Sequence, residues 1–158
     1  MIRQRFLVSA PVAHALDIGA SPPRFRSFVP LLKRVESTDA RIDHPGAKYT
    51  MVFGLLGLEV TSSWEVEEVR PADLGSSPRP DPPWEIVEVG RLGGIEIRST
   101  TRYEATGASS IVSHIVTFAH PAHRVAAALQ LLAHPAARVG MGVAGRRFAR
   151  YAGSRSSR

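Results

Sequence analysis

The 158-residue chain contains no cysteine, which excludes disulfides, thiolate metal ligands and thiol nucleophiles. It also lacks any apolar run near the roughly 20 residues that a membrane-spanning helix needs. The apolar residues of the first 20 positions are interrupted by Ser9, Pro11 and Asp17, which is not typical of a signal peptide. These absences predict a cytoplasmic protein.

Acidic residues are missing from the C-terminal third of the chain. All 14 lie at or before Glu104, and the rest of the chain carries seven arginines, so the net charge of +6 is concentrated there. Arg138, Arg146 and Arg150 fall along one side of the last predicted helix. We expect a solvated helix face, with peripheral membrane contact through these arginines as the alternative. Aromatic residues do not alternate with them, so no nucleic-acid partner is predicted.

The composition is that of an ordinary globular domain, with 44% hydrophobic and 22% charged residues. A chain of this length fits one domain. We predict a single domain over residues 1–153, followed by a disordered tail at 154–158.

Alternation of apolar and polar residues dominates the first 118 positions. Residues 2–10 predict a strand, a short helix ends at Gly19, and Ser21 followed by two prolines predicts a second short helix. Period two with one charged face indicates an antiparallel sheet wetted on one side. Further strands are predicted at 32–38, 48–56, 58–69, 84–90, 95–106 and 108–118. Which face of 84–90 points inward is left open. A proline-rich surface loop is predicted at 70–83, and a hairpin turn at Gly93-Gly94.

An alanine- and leucine-rich segment after residue 120 predicts one long C-terminal helix. Pro135 should kink or split it, because proline removes a hydrogen bond and clashes with the preceding turn. Gly140, Gly142 and Gly145 have the spacing of a dinucleotide-binding motif, but no strand precedes them. They are better explained as small residues that let the helix approach the sheet or a partner closely.

This order of elements resembles the START-like, or birch-pollen-allergen-like, helix-grip fold. The N-terminal residues are similar to the opening of the polyketide cyclase/dehydrase and lipid-transport (SRPBCC) superfamily. The matching features are Ala10-Pro11 entering a helix, Phe25, Phe28 and Pro30 after it, and a Val35-Glu36 strand. The resemblance implies an α+β helix-grip fold, with a curved antiparallel sheet of six to seven strands around a long C-terminal helix. It also implies an internal ligand cavity.

A curved sheet around one helix cannot contact it everywhere, so a gap is expected between them. Apolar gaps with a few polar groups are the usual ligand sites, although the same side chains could simply fill the core. The alternation predicts that eleven residues line the gap: Tyr49, Met51, Phe53, Val60, Trp64, Ile95, Ile97, Tyr103, His114, Leu129 and Leu132.

We therefore expect binding of a hydrophobic small molecule such as a lipid, quinone or polyketide. One alternative is a polyketide cyclase or aromatase in which His114 is the general acid or base, although His114 could equally be a neutral core histidine. Another is a quinone-chaperone-like module that docks on a membrane complex. His114, His120 and His123 have no nearby carboxylate, so no metal site is predicted, and no cofactor is expected. The oligomeric state is left open.

Overall fold

Seven antiparallel strands form one sheet in the order β1-β7-β6-β5-β4-β3-β2. The strands are β1 (Ile2–Val8), β2 (Leu32–Ser37), β3 (Lys48–Leu55), β4 (Leu58–Pro71), β5 (Trp84–Leu92), β6 (Ile95–Thr106) and β7 (Ser109–Phe118). Helix α1 (Val12–Gly19) and a 3-10 helix (Pro22–Ser27) follow β1, and helix α2 (Arg124–Ser156) follows β7. The predicted fold class is confirmed: the sheet is curled, and a long helix ends the chain.

This computed structural model describes residues 1–37, 39–55, 57–71, 83–92, 95–119 and 124–156. Only the backbone is described for Leu55, Pro71, residues 124–134, residue 136 and Ser156. The predicted turn at Gly93-Gly94, most of the proline-rich loop, and His120 and His123 lie outside the described residues.

The structure corrects several expectations about helix type and element boundaries. The second short helix is a 3-10 helix, and Ser21 occupies its N-cap position without a capping hydrogen bond. The expected loop at 70–83 begins later, because Arg70 and Pro71 still pair with β5. The expected tail at 154–158 begins too early, because α2 continues through Ser156. Its last turn is held by a Ser154 hydroxyl bond to the Tyr151 carbonyl and by Arg155 over the Tyr151 ring.

A β-bulge between Val66 and Glu68 interrupts the alternation of β4. Strict alternation places Glu67 and Glu68 on opposite faces of the sheet. The extra residue of the bulge instead leaves both on the outer face, where Glu67 pairs with Arg98 and Glu68 with Arg70. It also returns Val69 to the inward face beside Ile86.

Pro135 was expected to kink or split helix α2; the helix is continuous through Pro135, so the split does not occur. Its C-terminal half packs closely on β1. At Gly145 an added Cβ would lie 1.8 Å from Cζ of Phe6, so only glycine fits this crossing. The Phe148 ring then meets Phe28 edge-to-face at 5.1 Å. The expectation that small residues bring the helix close to the sheet holds at this position.

Candidate functional site

The inward face of the sheet is the side that carries Phe6 and packs against α2. Strand pairing assigns the rest of this face, because residues paired across antiparallel strands share a face. Phe6 pairs with Val112, Val112 with Tyr103, and Tyr103 with Trp84. By the same pairing, all nine predicted lining residues that belong to strands lie on the inward face: Tyr49, Met51, Phe53, Val60, Trp64, Ile95, Ile97, Tyr103 and His114.

One end of the inward face is filled by packed side chains. Tyr49 is buried with its ring edge-on to Phe25 at 5.6 Å, and Phe25 in turn contacts Phe28. The Tyr103 hydroxyl lies so close to α1 that a Cβ at Gly19 would be 2.1 Å from it. Tyr49 and Tyr103 therefore belong to the core at this end.

The apolar side chains further along the inward face are only half-buried. Met51, Phe53, Val60 and Trp64 all keep partial exposure although they point to the helix side of the sheet. Ile95 and Ile97 are buried in a second, smaller cluster that includes Met141 of α2. Leu129 and Leu132 lie within α2, but their side chains are outside what the structure describes. The structure therefore leaves this part of the inward face partly accessible.

Trp64 is held in a fixed orientation on this partly exposed part of the inward face. Its indole stacks on Tyr49 with ring centroids 6.2 Å apart, and its Nε1 donates to Ser62 Oγ at 2.9 Å. The ring lies over Gly90 of β5, where a Cβ would come within 2.6 Å of it. The sequence therefore provides a glycine where the indole must lie flat against the neighbouring strand.

A chain of polar groups crosses the inward face from β3 to β7. The Tyr49 hydroxyl donates to Glu88 Oε1 at 2.7 Å, and Ser99 Oγ lies 3.5 Å from Glu88 Oε2. Ser99 Oγ is also 2.8 Å from His114 Nε2. Glu88 and Ser99 are buried, whereas His114 is half-buried. A carboxyl, a hydroxyl and an imidazole are thus connected, and the imidazole is the least buried of the three.

Burial shifts the pKa of each titratable group in this chain of polar groups, and of the neighbouring Tyr103. Desolvation raises the pKa of Glu88 to about 7, although hydrogen bonds from Tyr49 and Ser99 oppose the shift. Desolvation lowers the pKa of His114 to about 4, so its imidazole is neutral near pH 7. It also raises the pKa of Tyr49 and Tyr103, and the negative charge of Glu88 adds to both shifts. Glu88 is therefore the group of this chain that changes charge near neutral pH.

The arrangement is not a nucleophilic triad. In such triads the imidazole lies between the hydroxyl and the carboxylate, whereas here the hydroxyl is central. Ser99 is also only 3% exposed, so it cannot reach a substrate carbonyl. The group placed to meet a ligand is the His114 ring.

Glu88 was missed because both faces of residues 84–90 carry apolar residues. Hairpin geometry would have found it. A two-residue hairpin connection predicted from the sequence would pair Leu92 with Ile95 and so place Glu88 opposite Ser99, which is the register observed. Since Ser99 alternates with inward isoleucines, Glu88 must share their face.

The outer face of the sheet carries an open depression of about 800 Å³. Its charged side chains are largely compensated, since Lys48 pairs with Glu65, Arg91 with Glu96, and Glu67 with the neighbouring Arg98. It is lined mainly by side chains of the solvated face, on the opposite side of the sheet from the polar chain. We therefore place the candidate site on the inward face.

The C-terminal arginines lie on the exposed side of α2. Arg138, Arg146 and Arg150 are exposed, while Gly142 and Gly145 of the same helix are buried. Within the described part of the chain, no cluster of three or more metal-ligating side chains occurs. No helix among the described residues is long and apolar enough to cross a membrane.

No protein-family model and no curated protein sequence matches this chain. Solved structures do match. TTHA0849 from Thermus thermophilus is similar with a TM-score of 0.73 and 12% identity over 98% of each chain. Ara h 8.0201 is similar with a TM-score of 0.66 and 12% identity over 97% of each chain. DynU16, a protein of the dynemicin biosynthetic locus, has a TM-score of 0.59 and 18% identity, covering 95% of this chain and 46% of its own. The predicted START-like, SRPBCC-type fold is thereby confirmed.

Proposed function

We propose that the protein binds a hydrophobic small molecule, such as a lipid, quinone or polyketide, between the inward face of the sheet and α2. The observation that carries this proposal is the partial exposure of Met51, Phe53, Val60 and Trp64 on a face directed at the helix. A fully packed core would bury such side chains. The likeness to helix-grip structures supports the proposal, because this fold is a ligand-binding scaffold.

The chemistry of the site favours a mainly apolar ligand with a single polar group. The half-buried indole of Trp64, held by stacking on the buried Tyr49 ring, provides a flat, rigid wall for it. Among the described inward residues, the polar group best placed to orient the ligand is His114. Apolar burial would supply most of the affinity, and the imidazole would fix the orientation.

Filling the space tests this proposal. Met51→Trp places a larger side chain on the inward face, whereas Thr50→Trp places the same side chain one residue away on the outer face. We expect Met51→Trp to weaken naphthalene binding about tenfold or more, since displaced apolar contact is worth at least about 1.4 kcal/mol. Thr50→Trp should leave binding unchanged. Equilibrium dialysis measures both, and equal affinities for the two variants would refute an inward binding site.

A second candidate function is that of a polyketide cyclase or aromatase. It is supported by the buried carboxyl, hydroxyl and imidazole beside the interior space, and by the likeness to a protein of the dynemicin biosynthetic locus. In this function His114 would move protons on a folded poly-β-keto chain. Turnover that is lost in His114→Gln while binding persists would favour the enzyme over the carrier.

A further inference from the structure

The polar chain on the inward face has two hydrogen-bonding arrangements because a serine hydroxyl carries only one proton. Ser99 can give that proton either to Glu88 Oε2, at 3.5 Å, or to His114 Nε2, at 2.8 Å. Which direction it takes depends on whether Glu88 itself carries a proton. The Tyr49 hydroxyl donates to the other carboxyl oxygen, Oε1, and so leaves Oε2 as the end that faces Ser99.

When Glu88 is a carboxylate, Ser99 donates to it and accepts a proton donated by His114 Nε2. A neutral imidazole with its proton on Nε2 has a bare lone pair on Nδ1. When Glu88 is protonated, it donates to Ser99, and Ser99 donates to Nε2. The imidazole proton must then be on Nδ1. The change balances as a relay: one proton enters at Nδ1, the Nε2 proton passes to Ser99, and the Ser99 proton passes to Glu88.

His114 Nδ1 is the end of the relay that a ligand can meet. Nε2 is occupied by Ser99, and within the described residues no group hydrogen-bonds Nδ1. The residues paired with His114 on the neighbouring strands are Thr101 and Gln4, neither of which titrates. Gln4 in turn lies beneath Gly142 of α2, so the imidazole is placed under the helix.

We propose that the Glu88–Ser99–His114 relay sets the polar specificity of the interior, so that His114 Nδ1 selects a hydroxyl-bearing apolar ligand in one state and a carbonyl-bearing ligand in the other. This inference rests on the proposed ligand-binding function and extends it to a ligand class. A bare Nδ1 accepts a hydrogen bond from a hydroxyl or phenol, and a protonated Nδ1 donates one to a ketone. The mismatched ligand leaves a desolvated polar group unpaired, which costs more than a missing contact in water.

Glu88 is the group of the relay that ionises near neutral pH, and the groups around the relay do not change this. Its pKa of about 7 arises from burial, and no described charged group contributes to it. The neighbouring phenols of Tyr49 and Tyr103 stay neutral because their pKa values are raised.

On β4 the partner of Glu88 is the apolar Val66. In α1, Asp17 is held by Arg24 and Arg41, and His14 lies one turn before it. In α2, Arg138, Arg146, Arg147 and Arg150 are exposed, and the side chains of Arg124 and His134 are not described.

Three naphthalene probes test the inference: 2-naphthol as donor, 2-acetonaphthone as acceptor and 2-ethylnaphthalene as the apolar reference. Their dissociation constants are measured at about pH 5.5 and about pH 8.5, on either side of the Glu88 transition. We expect the preference for 2-naphthol over 2-acetonaphthone to rise about tenfold from the lower to the higher pH. Binding of 2-ethylnaphthalene should not change.

Three variants test whether the relay causes the pH dependence of this ligand preference. Ser99→Ala breaks the chain and should make the preference independent of pH. Glu88→Gln keeps a permanent N–H donor toward Ser99 and should hold the protein in the ketone-preferring state at both pH values. Glu96→Gln, on the outer face of β6, is the matched control and should behave as the unsubstituted protein.

The 15N resonances of the His114 ring give a readout that needs no ligand. The proton should move from Nε2 to Nδ1 as Glu88 becomes protonated, and this exchange should vanish in Ser99→Ala. Binding of 2-ethylnaphthalene with a constant naphthol-to-ketone preference would overturn the specificity switch and leave the binding function intact. Failure of all three probes to bind would overturn the binding function. A tautomer that stays fixed while Glu88 titrates would overturn the relay.

Discussion

Desolvation shifts the pKa values of Glu88 and His114 in opposite directions. The folded protein holds the Glu88 proton up to about pH 7, whereas an unfolded chain releases it near 4.5. Glu88 therefore lowers stability as pH rises through this window. The folded protein keeps His114 neutral down to about pH 4, whereas the unfolded chain protonates it near 6.5. His114 therefore raises stability as pH rises between those values.

The two effects should cancel between about pH 4.5 and 6.5, and single substitutions should separate them. Relative to the unsubstituted protein, Glu88→Gln should become more stable with rising pH, by about 1.4 kcal/mol per pH unit. His114→Gln should show the opposite slope. Urea unfolding at several pH values measures both slopes. Two variants whose stability runs parallel to that of the parent would show that neither group is desolvated in the folded state.

For single residues, the sequence predicts the face of the sheet on which a side chain lies better than it predicts the residue to which that side chain hydrogen-bonds. Alternation placed Tyr49, Trp64 and His114 on the inward face, because a paired strand has a fixed period of two. The Tyr49–Glu88 bond joins residues 39 positions apart and depends on how β3, β4 and β5 are aligned. The bulge at Val66 shows why alternation alone could not give that alignment.

Among the elements, α2 shows most clearly how single residues position a helix on the sheet. Gly145 is pressed against the Phe6 ring, whereas an added Cβ at Gly140 meets nothing within 4 Å. The two glycines lie in the same helix and differ only in what surrounds them. Substituting each by alanine therefore separates the effect of helix propensity on stability from the effect of packing.

Gly145→Ala should destabilise the fold by about 1–3 kcal/mol, because the methyl group forces Phe6 and the helix apart. Gly140→Ala should stabilise it by up to about 1 kcal/mol, because alanine is the better helix former and has room. Thermal unfolding of both variants measures the difference. If the two substitutions shifted the melting temperature equally, the close crossing of α2 over β1 would be wrong.

The sequence predicted element boundaries correctly where a local signal marks them. It did not predict features that depend on residues distant in the sequence. The strands at 32–37, 48–55 and 109–118 end within about two residues of their predicted bounds. The 3-10 geometry of Pro22–Ser27 has no local signal that distinguishes it from an α-helix. The continuity of α2 through an exposed Pro135 likewise depends on more than the residues around it.

At the scale of the whole molecule, the sheet and α2 are in close contact at one end and less tightly packed along the rest of the inward face. Phe148 and Ala152 of α2 belong to the packed core near α1, whereas Met51, Phe53 and Trp64 remain half-buried. The order of elements allowed the fold to be predicted from sequence. How closely the side chains of the two pack could not be, because that depends on how far the curled sheet stands from the helix.

The three methionines allow the most direct test, since Met51 and Met141 are half-buried on the inward face and on α2, and Met1 is 73% exposed. With 13C-labelled methionine methyl groups, bound 2-ethylnaphthalene should give intermolecular nuclear Overhauser effects to Met51 and Met141 and none to Met1. Saturation with the probe that produced no such effect at either interior methyl group would contradict a binding space between sheet and helix.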